Sequence, residues 1–122
     1  MIWKTSNSLK LGHVWLQPLY DLLDLALFKT QALSGAGAVN VTSRTTLLTT
    51  TGAAQALTLA DGTGVGQRKT IVHQVDGGSA VLTPTTKIGF STITFTAAGD
   101  SAELCWTAAG WAVVAVNGAA LA

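Results

Sequence analysis

Charged residues are scarce in this chain of 122 residues. Seven lysines and arginines and six acidic residues make up 11% of the sequence, against about 25% in a typical soluble domain. The formal net charge is +1 and no basic run occurs, so we expect no nucleic-acid partner, because such binding relies on cationic contacts to phosphates. Cys105 is the single cysteine, which excludes an internal disulfide and a zinc site built from several thiolates.

Long hydrophobic runs are also missing. The most apolar window, residues 14–28, is interrupted by Pro18, Asp21 and Asp24, and it is shorter than the ~20 residues that cross a bilayer. The first residues lack the pattern of a secretory signal, in which a basic head precedes an unbroken apolar stretch. We therefore expect no membrane partner and synthesis in a reducing cytoplasm.

The N-terminal part, residues 1–37, is predicted to be an attachment or oligomerisation segment. It contains an irregular arm, one α-helix over residues 16–30 and a glycine-containing linker over residues 34–37. Pro18 suits the first turn of that helix, and the nearby acidic residues suit the positive end of its dipole. Apolar side chains cover more than half of the helix circumference, so a second subunit is expected to cover part of it.

The remaining residues, 38–122, are predicted to form a mainly β domain. Alternating polar and apolar residues and glycine-containing turns predict seven strands, over residues 45–50, 54–60, 68–75, 79–83, 90–96, 101–107 and 111–116. Short strands at roughly ten-residue spacing favour an antiparallel β-sandwich or barrel-like, jelly-roll-like domain. No internal repeat indicates a solenoid. The last strand is apolar on both faces, which predicts a central position in its sheet or an interface.

The glycine-rich loop over residues 61–70 has the outline of a phosphate-binding loop without its chemistry. A P-loop has glycine directly before its lysine and a helix after it. Here Arg68 precedes Lys69, and the residues that follow are β-branched and strand-like. The third glycine of a dinucleotide-binding fingerprint also comes one residue early. We therefore expect a flexible, hairpin-like loop.

Other candidate catalytic residues do not gather into a set. The six carboxylates are scattered, with no pair at a helical or strand spacing beside His13 or His73, and no Gly-x-Ser-x-Gly motif occurs. We expect His73 to lie at the surface or in an interface and Cys105 to be a small buried apolar residue. The sequence predicts a protein that is not an enzyme, with no catalytic residues, no metal site and no cofactor.

Three stretches, residues 57–71, 89–95 and 109–114, contain strand and turn motifs that are similar to those of a known class of proteins. With them the chain resembles the small β-rich virion structural proteins of tailed bacteriophages, the modules of capsid decoration (cement) proteins and of head or tail fibres. The similarity covers about residues 45–118. It implies a homotrimer of β domains with an N-terminal segment that attaches to the virion, and no catalytic residues. The short chain without a repetitive shaft favours a decoration protein over a fibre.

The expected function is therefore that of a trimeric decoration protein on the capsid surface of the virion, made in the host bacterial cytoplasm. It would bind the major capsid protein and stabilise the shell. Capsid binding is expected from Trp3, Trp15, Leu16 and Leu19, although an arm that folds back on its own domain is an equal alternative for the two tryptophans. The trimer interface is expected at Leu23, Leu27, Trp111 and Val113.

A second hypothesis is a head or tail fibre knob that binds a host receptor or glycan. Trp106 and Trp111 flank the turn of one predicted hairpin. In a glycan-binding site they would stack on sugar rings, with threonines and Asp100 as polar partners. The burial of the two rings separates this hypothesis from the first, because a ring inside the core has no face to offer a sugar.

Overall fold

The computed structural model describes residues 28–122, which form ten strands. The strands are β1 (Thr30–Ser34), β2 (Gly37–Val39), β3 (Thr45–Thr49), β4 (Gln55–Leu59), β5 (Arg68–Val75), β6 (Ala80–Pro84), β7 (Ile93–Phe95), β8 (Ser101–Thr107), β9 (Gly110–Asn117) and β10 (Ala120–Leu121). The domain is therefore mainly β, as the sequence predicts. The predicted helix lies outside the described residues except for its last three positions, and Thr30 already belongs to β1.

Two five-stranded sheets contain these strands, in the orders β1-β3-β5-β8-β9 and β10-β7-β6-β4-β2. From β1 to β6, consecutive strands alternate between the two sheets and pair in parallel within each sheet. This winding is that of a short β-solenoid. The strands β7 to β10 then add antiparallel pairs to both sheets. Both sheets are mixed as a result.

The prediction of a wholly antiparallel, jelly-roll-like domain is wrong for the first six strands. Along the parallel ladder, Thr30 pairs with Thr45 and Thr45 pairs with Thr70. One turn of the winding therefore takes 15 residues and the next takes 25. Because the turns differ in length, the sequence shows no fixed period, and the solenoid-like winding escapes a search for repeats.

All seven predicted strands are present in the structure, with bounds that shift by at most a few residues. Three short strands, β1, β2 and β10, were not predicted. The first two flank the predicted linker, which forms the turn between them. The loop over residues 61–67 leads into strand β5 and not into a helix. It joins strands of two different sheets, so the prediction of a hairpin-like loop is wrong.

One hydrophobic core collects residues from both sheets. Its members are Val39, Leu48, Leu57, Leu59, Ile71, Ala80, Leu82, Ile93, Phe95, Ala102, Leu104 and Trp111, all essentially inaccessible to solvent. Strand β5 shows how the alternation works, because its second, fourth and sixth residues are buried while the first is exposed. Two of these three buried side chains, Lys69 and His73, are polar.

Candidate functional site

The strand β9 lies at one edge of its sheet. Its outer side pairs with residues 86–88 at Trp111, and no described strand pairs with its second half on that side. Its second half exposes Val114 and Val116, which are 49% and 41% accessible. Natural edge strands usually carry charges, prolines or bulges that prevent pairing with another chain. Residues 110–122 contain neither a charged residue nor a proline, although β9 has a bulge at Val114, between the residues that pair with Leu104 and Glu103. The prediction of a central position for this strand is therefore wrong, and its other alternative, an interface, stays a prediction.

An apolar groove runs beside this edge. It has a volume of about 380 Å³ and is lined by Ile88, Gly89, Phe90, Ala112, Val113 and Leu121. No charged side chain lines it, and Ile88 and Leu121 are themselves exposed. We call β9 and the lining of this groove the apolar edge. Surface of this kind costs free energy in water and favours association with another protein.

The two described residues expected in a trimer interface have different positions. Trp111 is fully buried in its own domain, and its indole Nε1 donates a hydrogen bond of 2.8 Å to the carbonyl of Ala60. It has no surface to offer another subunit. Val113 is half-buried, contacts the core and lines the groove of the apolar edge. Val113 is thus the one of the two that a second copy can reach.

The two tryptophans proposed for glycan binding contact each other. Their ring centroids are 5.4 Å apart at an interplanar angle of 63°, an edge-to-face arrangement. Trp106 is half-buried, and it lies so close to Gly62 that a β-carbon there would collide with the indole. Because Trp111 is completely enclosed, the pair does not form a platform on which a sugar ring could stack.

Lys69 is a charged residue inside the domain. It is 1% exposed, and its ammonium donates to the Ser43 carbonyl at 2.9 Å, to Ser43 Oγ at 3.2 Å and to Asn40 Oδ1 at 3.3 Å. No carboxylate of residues 28–122 lies within salt-bridge distance. Burial lowers the pKa of this lysine from 10.5 to about 8. The side chain holds the loop between β2 and β3 against β5.

His73 is also completely buried, so the prediction of a surface or interface histidine is wrong. Its Nε2 lies 2.9 Å from Thr50 Oγ1, whereas Nδ1 has no hydrogen-bond partner among the described residues. The reason for its burial is the alternation along β5, since Ile71 points into the core and the residue two positions later must follow it. The contacts of His73 join β5 to the turn after β3.

Asp100 is buried in the turn before β8. Its Oδ2 accepts hydrogen bonds from the backbone N–H groups of Thr96 at 2.9 Å and of Ala97 at 3.0 Å. These two bonds, from Thr96 and Ala97 in that order, are the main causes that lower the pKa of this carboxyl, with a smaller contribution from His73. Asp100 is thereby engaged within its own turn and does not accompany the tryptophans as a polar partner for a ligand.

The remaining predictions concern side chains that the structure places apart or does not describe. Cys105 is a free thiol of intermediate burial. Within residues 28–122, no three histidine, cysteine or acidic side chains come together as metal ligands, and no helix there has the length and hydropathy to span a bilayer. The six other predicted binding residues, Trp3, Trp15, Leu16, Leu19, Leu23 and Leu27, lie outside the described residues.

Comparisons with known proteins leave the function to be argued from the residues themselves. No protein-family model matches the chain, and no curated protein matches it significantly.

Proposed function

We propose that this chain is a structural protein of a tailed-bacteriophage virion, a homotrimer that binds the major capsid protein at the capsid surface and stabilises the shell. The resemblance of its β stretches to virion proteins supports the virion role. The observation that carries self-association is the apolar edge, where an edge strand without charged residues adjoins an uncharged groove. The function is binding, and it requires no reactive group.

The energetics of the apolar edge support association. Burying a fully exposed valine contributes about 1.5 kcal/mol or more. Val114 and Val116 of β9 are 49% and 41% exposed, so covering what remains of each contributes roughly half of that. Beyond Trp111, which already pairs with residues 86–88, the outer backbone groups of β9 can also pair with a strand from another chain. In a trimer the contact is head to tail, so the apolar edge of one copy meets a different surface of the next and the ring closes after three copies.

The domain architecture fits a rigid surface module. We infer that the two sheets pack face to face as a sandwich, because one core takes residues from both of them. This sandwich differs from an antiparallel jelly roll, since half of it is wound with parallel pairs. Its N-terminal strand, β1, lies at the sheet edge opposite β9. The described chain therefore begins at the sheet edge opposite β9, and we assign contact with the shell to residues that precede it.

Capsid attachment is assigned to the segment that contains Trp3, Trp15, Leu16 and Leu19. The test compares the full chain with a variant lacking residues 1–15 in co-sedimentation with purified capsids. We expect the full chain to coat the capsids and to raise the temperature at which they release DNA, and the truncated chain to do neither. Coating by the truncated chain with unchanged affinity would contradict attachment through this segment.

A further inference from the structure

Basic residues are concentrated at one end of the sheet that contains β3 and β5. Residues 28–122 contain five lysines and arginines, and three of them, Arg44, Arg68 and Lys69, lie here. Arg44 directly precedes β3 and Arg68 is the first residue of β5. The two strands pair in parallel, with Thr45 opposite Thr70, and Thr70 N–H donates to the Arg44 carbonyl, so Arg44 lies beside the beginning of β5. A chain that is poor in charge thus places most of its described cationic groups together.

Among the described residues, one carboxylate, that of Glu103, forms ion pairs with this cluster. Glu103 Oε2 is 3.4 Å from Arg68 Nη1 and 3.9 Å from Arg44 Nη2. The two guanidinium side chains are each 41% exposed, and the carboxylate side chain is 30% exposed. One carboxylate shared at these distances leaves most guanidinium N–H groups without an ionic partner. With Lys69 counted, the cluster keeps a local excess of positive charge.

The ammonium of Lys69 lies directly beneath the same surface. Ser43 accepts two of its hydrogen bonds and also lines the pocket beside Arg44 and Arg68. All its hydrogen-bond partners are neutral oxygens, and a buried cation without a counter-charge costs free energy. The lowered pKa of Lys69 has the same origin. An anion bound on the outer side of Ser43 would offset part of this cost.

The pocket over this cluster has the chemistry of a carboxylate site. It encloses about 250 Å³ and is lined by Val41, Thr42, Ser43, Arg44, Gln67 and Arg68. Hydroxyl, amide and guanidinium groups are suitable donors to a carboxylate, and arginine can bind one through two N–H groups at once. No aromatic side chain lines the pocket, although stacking on such a ring is the usual contact for a nucleic-acid base or a sugar.

We propose that the pocket between Arg44 and Arg68 binds an aspartate or glutamate side chain from an acidic segment of a partner protein. This site is separate from the apolar edge and does not depend on the capsid role. The incoming carboxylate competes with Glu103 for the two guanidinium groups. The positive charge of the buried Lys69 strengthens its binding. The geometry that creates the site is the parallel pairing of β3 with β5.

The first test measures binding of a hexa-aspartate peptide to the full chain at low ionic strength by calorimetry, with a hexa-asparagine peptide as the uncharged control. We expect binding of the acidic peptide only. The double variant Arg44→Gln/Arg68→Gln should weaken it about tenfold or more. Lys29→Gln removes an exposed cation outside the pocket and should leave the affinity within about twofold. Equal losses in the two variants would overturn the proposal.

The second test uses a change of opposite sign. Glu103→Gln removes the competing carboxylate and should raise the affinity for the acidic peptide about threefold or more. The matched control is Asp76→Asn, which makes the same charge change just after the other end of β5. The asparagine still has a side-chain oxygen that can accept the hydrogen bond from Gly78 N–H. The control should leave the affinity nearly unchanged. No gain from Glu103→Gln, or the same gain from both variants, would overturn a specific site.

The third test distinguishes a protein carboxylate from a free oxyanion. Inorganic phosphate is titrated against the bound hexa-aspartate peptide at matched ionic strength. We expect phosphate to displace the peptide only at a large molar excess. Displacement at equal concentrations would show that the pocket is a site for a free oxyanion and would overturn the assignment to a protein partner.

Discussion

Trp111 lies opposite Trp106 in the β8–β9 ladder, and the two indoles contact each other edge to face. Trp111 Nε1 also donates to the Ala60 carbonyl, in the loop that follows β4 of the other sheet. One side chain therefore joins the β8–β9 hairpin to the second sheet. The pair is a structural feature of the core, which agrees with a module whose function lies at its surfaces.

Replacing Trp111 should destabilise the domain more than replacing Trp106. Trp111→Phe removes a buried hydrogen bond and leaves a cavity, so the free energy of unfolding should fall by about 2–4 kcal/mol. Trp106→Phe changes a half-buried ring and should cost about 1 kcal/mol. Urea denaturation of the two variants checks this order. A larger loss for Trp106→Phe would show that Trp111 is not the anchor.

The buried lysine should make stability depend on alkaline pH. The pKa of Lys69 is about 8 in the folded chain and 10.5 as its ordinary value, so between these values the unfolded chain binds more protons. Stability attributable to Lys69 should therefore rise as the pH increases from 8 to 10.5.

The variant Lys69→Met retains the length of the side chain without its charge and isolates this effect. The difference in unfolding free energy between wild type and variant should move in favour of wild type as the pH rises through this window. Thermal unfolding at pH 7, 8.5 and 10 measures this difference on both sides of the Lys69 pKa of about 8 in the folded chain. A difference that stays constant with pH would contradict the buried, uncompensated ammonium.

Asp100 should contribute stability that is lost in acid. Its pKa is lowered in the folded chain by the hydrogen bonds from Thr96 and Ala97. The contribution is therefore complete above the ordinary value of 3.8 and disappears as the pH falls through the lower folded value.

Asp100→Asn should cost about 1–3 kcal/mol at neutral pH, because a neutral amide oxygen is a weaker acceptor than a carboxylate. The cost should shrink as the pH is lowered towards the folded pKa of Asp100. Denaturant titrations at neutral and acidic pH measure both quantities. A cost that is the same at every pH would show that the charge of Asp100 is not what stabilises the turn.

The sequence is informative about strands and uninformative about their pairing. Alternation and glycine turns locate β3 to β9, because they are local properties of the chain. The parallel ladder from Thr30 through Thr45 to Thr70 depends on turns of unequal length, and nothing local encodes it. The strands β2 and β10, of three and two residues, show little pattern of their own and depend on their neighbours in the sheets. Strand β1 is as long as β3 but lies where the sequence predicts the end of a helix and a linker.

The sites were predictable in the same uneven way. The two apolar faces of β9 were visible in the sequence, but its edge position follows from the sheet order. Period-two alternation puts Lys69, Ile71 and His73 on one face of β5, yet only the packing of Ile71 makes that face the inner one. Arg44 and Arg68 are remote in sequence and become neighbours through parallel pairing. The basic pocket was therefore missed.

The molar mass of the full chain in solution, measured by light scattering over a range of concentrations, tests the central claim most directly. We expect a trimer. The variant Val114→Lys/Val116→Lys should be a folded monomer, because two charges on the apolar edge oppose its burial. Val65→Lys, at a valine that is 76% exposed in the loop before β5, should remain a trimer. A wild-type chain that stays monomeric at every concentration would contradict the account.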